Sequence, residues 1–175
     1  MTQKVLVVYA TKFGSTKEVA EKVGEIIRSK KIRVDVRNVN TVKDISAYSA
    51  VILGTAIRMG KPVSDAFSFI KKYKDDIKNK SVAFFSVGLY MKEDTPENRE
   101  KATKCLLPLI EQVENPVSIG LFGGKIDYST MPLLLRWTFS KDTSGELQEG
   151  DWRDWDTISS WVDELLPRLE SSRVV

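Results

Sequence analysis

"VLVVYATKFGSTKEVAEKV", residues 5–23, decides the fold. Its first five residues are apolar without alternation, the pattern of a strand buried on both faces, predicted over Lys4 to Tyr9. Then come the hydroxyls of Thr11, Ser15 and Thr16 around one glycine, Gly14. From Thr16 to about Ser29 the apolar positions Val19, Val23, Ile26 and Ile27 share one face of a helix. A buried strand that feeds a helix through a short polar corner opens a βαβ unit. Successive backbone N–H groups at such a helix N-terminus hold a phosphate without a metal.

Outward from this stretch the same rhythm repeats. Ile32 to Asn38 and Ala50 to Gly54 read as strands, and Ser64 to Tyr73 as a helix with Val63, Ala66, Phe67 and Ile70 at helical spacing. Ser81 to Val87 is a fourth strand. A helix follows from Thr95 to about Val113, with Ala102, Leu106, Leu109 and Val113 on its face and a kink expected at Pro108. Val117 to Phe122 is a fifth strand. Asp151 is expected to cap a last helix that reaches about Leu169 and carries Trp155, Ile158, Val162, Leu165 and Leu169. Five strands joined by helical crossovers imply an α/β domain, a doubly wound parallel sheet in the order 2-1-3-4-5 with helices on both faces. One domain is expected over 1–175. Residues 123–150, far longer than an ordinary connection, form an insertion before the last helix.

Composition bounds the chemistry. The 175 residues are 42% hydrophobic and 29% charged, as in an ordinary globular domain. No apolar run approaches the roughly 20 residues that cross a bilayer. The chain enters a strand at once, without the pattern of a signal segment, so a cytoplasmic protein is expected. The lone cysteine, Cys105, leaves no internal disulfide or CxxC site and is expected to be core filler. The absence of histidine removes Ser-His-Asp and Cys-His catalysis and histidine-bound metals, which favours a borrowed cofactor; no metal site is expected. A net charge of +3 is too mild to demand nucleic acid but permits an anionic ligand. The acids Glu93, Asp94, Asp75, Asp76, Asp151 and Asp154 sit at loop or helix ends and suggest no catalytic pair. Trp152, Trp155 and Trp161 read as packing residues.

In sheets of this type ligands bind at the carboxyl ends of the strands, where the order reverses. Three loops should meet there. The first is Ala10, Thr11, Lys12, Phe13, Gly14, Ser15 and Thr16; the second is Gly54, Thr55, Ala56, Ile57, Arg58, Met59 and Gly60; the third is Ser86, Val87, Gly88, Leu89 and Tyr90. Gly88 permits close backbone approach to a flat ligand, and Tyr90 could stack on it. The dinucleotide fingerprint GxGxxG fails because Ala10 or Lys12 stands where its glycines belong, and the P-loop fails because Ser15 follows Gly14. A phospho-acceptor receiver domain fails as well, since Tyr9-Ala10 and Gly54-Thr55 replace its acidic residues. A monophosphate site remains, against the alternative that Ser15 or Thr16 caps the helix and Gly14 only makes the turn.

Across essentially its whole length the chain resembles the flavodoxin-like FMN-binding superfamily. Residues 11–16 are similar to the family's hydroxyl-rich phosphate loop, although Phe13 stands where a hydroxyl is usual before the glycine. Within the superfamily the chain most resembles menaquinone-dependent protoporphyrinogen IX dehydrogenases, whose second loop reads like G-A-S-I-R-Y-G before a helix with A-F-x-x-F. Here "GTAIRMG" (54–60) and "AFSFIKK" (66–72) match, as do the long insertion and "GDWRDWDTISSWVDEL" (150–165). The resemblance implies FMN, cofactor contacts from the three loops, a porphyrinogen substrate and a quinone acceptor. Met59 replaces an aromatic residue, so Ile57 or Met59 is expected to cover one side of the flavin.

Arg58 and Lys61 beside the ring would stabilise an anionic reduced flavin, unlike the acidic surroundings of carrier flavodoxins. Arg58 is the candidate catalytic residue, since its planar fork suits the propionates of such a substrate; the alternative is an exposed residue paired with Asp65 or Asp94. Residues 131–141, "MPLLLRWTFSK", suggest either a cover for the sheet edge or a partner subunit, or a lid over a greasy pocket that touches the inner face of the cell membrane. Two rivals stay open: a one-electron carrier docking with a redox partner protein, and an NAD(P)H-dependent quinone reductase, whose second loop resembles G-T-P-T-R-x-G.

Overall fold

The central strands of the sheet are apolar on both sides because helices cover both of its faces. The structure, a computed structural model, describes residues 4–171. The residues before Lys4, on which part of the reading of the chain's start rests, lie outside it. In chain order the elements are β1 (Lys4–Ala10), α1 (Ser15–Ser29), β2 (Arg33–Asn38), β3 (Ala50–Arg58), β4 (Lys61–Pro62), α2 (Ser64–Lys72) and α3 (Lys74–Ile77). They continue with β5 (Ser81–Gly88), α4 (Pro96–Ile110), β6 (Ser118–Gly123), β7 (Lys125–Ile126), α5 (Leu133–Ser140), β8 (Gly150–Asp151) and α6 (Trp155–Ser171).

The main sheet runs β2-β1-β3-β5-β6, all parallel, which is the expected order once the two-residue β4 is set aside. Side chains alternate across it. Leu6, Val8, Val51, Leu53 and Phe84 face Phe69, Ile70, Leu106 and Leu109 of α2 and α4. Val5, Val7, Ile52 and Phe85 face Val19, Val23 and Ile27 of α1 and Ile158, Val162 and Leu165 of α6. The indole of Trp161 packs edge-on against Phe122, and its N–H donates to the Ser118 hydroxyl at 3.0 Å.

Four features depart from expectation. First, β3 continues past Gly54 to Arg58, turns at Met59 (φ 50°) and Gly60 (φ 73°), and pairs antiparallel with β4, Arg58 opposite Lys61. Two positive φ angles in a two-residue turn match the twist of a hairpin. Second, α4 is capped by Thr95, whose hydroxyl accepts from the Asn98 N–H at 3.2 Å, but it ends at Ile110; Pro108 lies in its last turn. Third, Asp154 and not Asp151 caps α6, its carboxylate accepting from the N–H groups of Asp156 and Thr157 at 3.0 Å each. Asp151 belongs to β8 and is taken up by Arg153, while Trp152 lies before the helix. Fourth, Cys105 is only partly buried.

The insertion is ordered. It leaves β6 through β7, makes a short turn over Tyr128–Thr130, forms α5 and returns through β8, which pairs antiparallel with β7. The Trp152 N–H donates to the Gly124 carbonyl at 3.0 Å, and a Cβ at Gly123 would lie 2.1 Å from the Trp152 carbonyl oxygen. Outgoing and returning chain therefore touch backbone to backbone.

Candidate active site

At the first loop Gly14 is the N-cap of α1, with φ 95°, and its N–H donates to Thr11 Oγ1 at 3.0 Å. No side chain caps the helix, so neither Ser15 nor Thr16 plays that part. The first-turn amides thus keep their donor capacity toward the corner. Thr16 is fully buried, and among the described residues its Oγ1 has no hydrogen-bond partner. A buried hydroxyl in that condition costs about 1–3 kcal/mol.

The three loops meet as expected around one cavity of about 430 Å³. Thr11, Lys12, Phe13 and Ser15 line it from the first loop; Ala56, Ile57, Arg58 and Met59 from the second; Val87, Gly88 and Leu89 from the third. Gly14 supports the corner from outside the lining. Thr55 and Ser86 are buried in the sheet beneath, the Thr55 hydroxyl donating to the Ala56 carbonyl at 3.1 Å. Gly60 and Tyr90 border an adjoining groove instead, which shares Ile57, Met59, Leu89 and Leu147 with the first. A Cβ at Gly88 would sit 3.1 Å from Ile57 Cβ, so this glycine admits the second loop against the third.

Among the described residues, the cavity wall carries three cations and no carboxylate. Lys12 Nζ lies 4.0 Å from the Asp65 carboxylate, which also accepts from the Asn40 amide at 2.9 Å. Arg58 pairs with neither acid considered for it: Asp94 is bound by Arg99 at 2.6 Å, and the Arg58 guanidinium stands 5.3 Å from the centre of the Phe13 ring. Lys125 pairs with Asp127 at 3.0 Å.

Opposite the loops stands the insertion. Ile126, Met131, Leu135, Phe139 and Leu147 form an apolar wall. Tyr128 pins this unit together: its hydroxyl donates to the Leu147 carbonyl at 2.9 Å, its N–H donates to the Glu149 carboxylate at 2.8 Å, and its ring meets Phe139 edge-on. Leu133, Leu134 and Trp137 point outward and are exposed, with Lys141 Nζ 3.6 Å from the Trp137 ring centre. Arg153, its side chain only 6% exposed, bridges Asp151 of β8 and Glu18 of α1 and lies over the Trp155 ring at 4.8 Å. That guanidinium holds the Asp151 carboxyl below its ordinary value. Gly124, Lys125, Ile126 and Leu147 were not legible as site residues, since only the long-range β7–β8 pairing brings them here.

Residues 6–146 match the family model described as Flavodoxin domain. The chain belongs to that family. It is similar to protoporphyrinogen IX dehydrogenase (quinone) of Escherichia coli strain K12, 25% identical over 173 aligned residues that cover 93% of this chain and 94% of that protein. The protein of the same description in Leishmania major is 23% identical over 171 residues, covering 93% and 74%. Among solved structures, a flavodoxin from the domain Archaea superposes with a TM-score of 0.56 at 20% identity, covering 96% of this chain and 99% of that one. Flavodoxin 1 from Bacillus cereus gives 0.58 at 16% identity, covering 94% and 98%. The flavodoxin-like fold is thereby borne out, and the protein is a flavoprotein oxidoreductase with FMN as its cofactor.

The flavodoxin corner of this chain suits FMN. Uncapped amides of the first α1 turn, the unpartnered Thr16 hydroxyl and nearby cations are the donor set that a phosphate monoester requires. Ile57, Met59, Val87 and Leu89 offer apolar surface to a flat ring. Phe13, in place of a hydroxyl, donates nothing; its ring instead carries the Arg58 guanidinium. Among the described residues no group of three or more His, Cys, Asp or Glu side chains is placed to hold a metal ion.

Proposed function

We propose that this protein oxidises a porphyrinogen, protoporphyrinogen IX being the candidate, and passes the electrons to a quinone. One observation carries the reading. The apolar wall of Met131, Leu135, Phe139 and Leu147 faces a cavity whose opposite side presents Arg58 without a carboxylate partner among the described residues. A large apolar ring system bearing carboxylates needs this combination. The names of the similar proteins from Escherichia coli and Leishmania major support the same substrate and acceptor.

When bound, FMN would take electrons from the substrate two at a time, so that three cycles of reduction by the porphyrinogen and reoxidation by the quinone complete the six-electron conversion to a porphyrin. The protein's part is to hold and to screen. The loop from Thr11 to Thr16, with its amides and hydroxyls, anchors the phosphate end. Thr55, Ser86, Gly60 and Tyr90 support the loops around the ring, and Ala56, Ile57, Met59, Val87, Gly88 and Leu89 bound its faces. Arg58 orients a substrate carboxylate through two parallel hydrogen bonds. Its charge also favours electron pairs arriving in the site, an effect that water reduces because the Arg58 side chain is exposed. The α5 wall excludes water from the reacting centre. The outward face of Leu133, Leu134 and Trp137 beside Lys141 suits peripheral contact with a lipid surface, where quinones dissolve.

The test is anaerobic mixing of the FMN-loaded protein with protoporphyrinogen IX, reading flavin absorbance within one turnover. Fast bleaching, followed by recovery of colour on adding menadione, is the expected result. Arg58→Ala should then raise the KM for the porphyrinogen about tenfold, the worth of a charge-assisted hydrogen bond. Visible flavin that bleaches with NADPH and not with the porphyrinogen would replace this reading by an NAD(P)H-dependent quinone reductase. A stable one-electron form without turnover would point to a carrier.

A further inference from the structure

Phe13 leaves the first loop one hydroxyl short of the pattern it resembles, and the fold brings a cation from an unrelated part of the chain to the same cavity. Lys125, the first residue of β7, lines the same cavity as Thr11, Lys12 and Ser15. Lys125 stands opposite Asp151 in the β7–β8 register, and Arg153 joins Asp151 to Glu18 on the first turn of α1. β7 is thus tied to α1, whose N-terminus forms the phosphate corner, while its Ile126 joins the apolar wall.

The backbone beneath it is fixed. β7 pairs with β8, the Gly124 carbonyl accepts from Trp152, and Arg153 fastens the return strand to α1. A lysine on such a base reaches a defined volume. Its present partner, the Asp127 carboxylate at 3.0 Å, also accepts from the backbone N–H and the hydroxyl of Ser129, so Asp127 stays satisfied if the ammonium turns elsewhere. The pair is about one-third exposed, a setting in which an ion pair alone contributes little. Of the other cations on the wall, Lys12 is drawn toward Asp65 and Arg58 rests on Phe13.

We propose that Lys125 binds the phosphate monoester of the cofactor, supplying by charge what position 13 does not supply by a hydroxyl. The inference rests on FMN being the cofactor. It makes the insertion part of the cofactor site as well as of the apolar wall, so that phosphate binding and the seating of β7 stabilise each other.

The measurement is a fluorescence-quenching titration of the flavin-free full chain with FMN and, separately, with riboflavin, which lacks the phosphate. Lys125→Met, which keeps the aliphatic stem, should raise the Kd for FMN about tenfold, the scale of one charge-assisted hydrogen bond, and leave that for riboflavin within about twofold. Lys125→Arg should restore the preference for FMN. Asp127→Asn, which releases the ammonium, should lower the Kd for FMN several-fold. An unchanged FMN-to-riboflavin ratio in Lys125→Met would overturn the inference. Loss of affinity for both flavins to the same degree would also overturn it, by making Lys125 a structural residue only. If the unaltered protein quenches neither flavin, the cofactor assignment itself falls, and the inference with it.

Discussion

Thr16→Val should act in opposite directions on the empty and the loaded protein. In the unfolded chain the Thr16 hydroxyl is hydrated. In the fold it is fully buried, and no described group bonds to Oγ1. That transfer costs about 1–3 kcal/mol, and valine has the same shape and a comparable helix propensity. The flavin-free variant should therefore be more stable than the parent by about 1 kcal/mol, seen as a higher urea midpoint at unchanged slope. With FMN the sign reverses. A hydroxyl that bonds a phosphate oxygen contributes about 1.5–3 kcal/mol, so its loss should raise the Kd for FMN about 10- to 150-fold and leave riboflavin binding alone. Equilibrium urea unfolding of the flavin-free chain and a quenching titration supply the two numbers. A packing defect would lower both stability and affinity. A variant less stable than the parent with unaltered FMN affinity would therefore refute the reasoning and require an internal partner for the hydroxyl.

Met59→Gly should raise stability by about 1 kcal/mol in urea melts, because Met59 holds a left-handed φ of 50° and, at 93% exposure, gives up no packing. Asp127→Asn should flatten the acid limb of a plot of Tm against pH. The Asp127 carboxyl is held down to about 2, first by the Ser129 hydroxyl and then by Lys125. A depressed folded value means that its contribution is present above the ordinary value near 4 and is lost as pH falls through about 2, so parent and variant should differ in slope within that window.

The parallel strands are legible because burial on both faces leaves unbroken apolar runs such as Val5–Val8 and Ala50–Leu53, which no amphipathic helix produces. The phosphate corner is legible because a glycine with positive φ and flanking hydroxyls are residues of restricted use. The β3–β4 hairpin is hidden by its turn: Met59-Gly60 lacks the Asn-Gly or Asp-Gly that announces such a turn, and Thr55 to Arg58 lose the apolar run. The cap of α6 is ambiguous in the sequence for a different reason. Asp151 and Asp154 are chemically alike, and only Arg153, which folds back onto Asp151, decides between them. Leu135 and Phe139 stand in a stretch recognisable as apolar and basic, but which of its leucines turn inward depends on the pin at Tyr128, a contact with Leu147 nineteen residues away.

The neck of the insertion has a further consequence for the history of such a chain. Since Gly124 and Trp152 meet through their backbones, everything between β7 and β8 is an excursion that starts and finishes at one point. Closing a longer excursion costs only about 0.6 kcal/mol per doubling of its length. Residues can be added, removed or exchanged there with little disturbance to the five-stranded frame. Under the proposed function, the part of the molecule that selects what reaches the flavin can thus vary across descendants at a different pace from the part that holds the flavin, and new substrates become accessible to the lineage without a new fold.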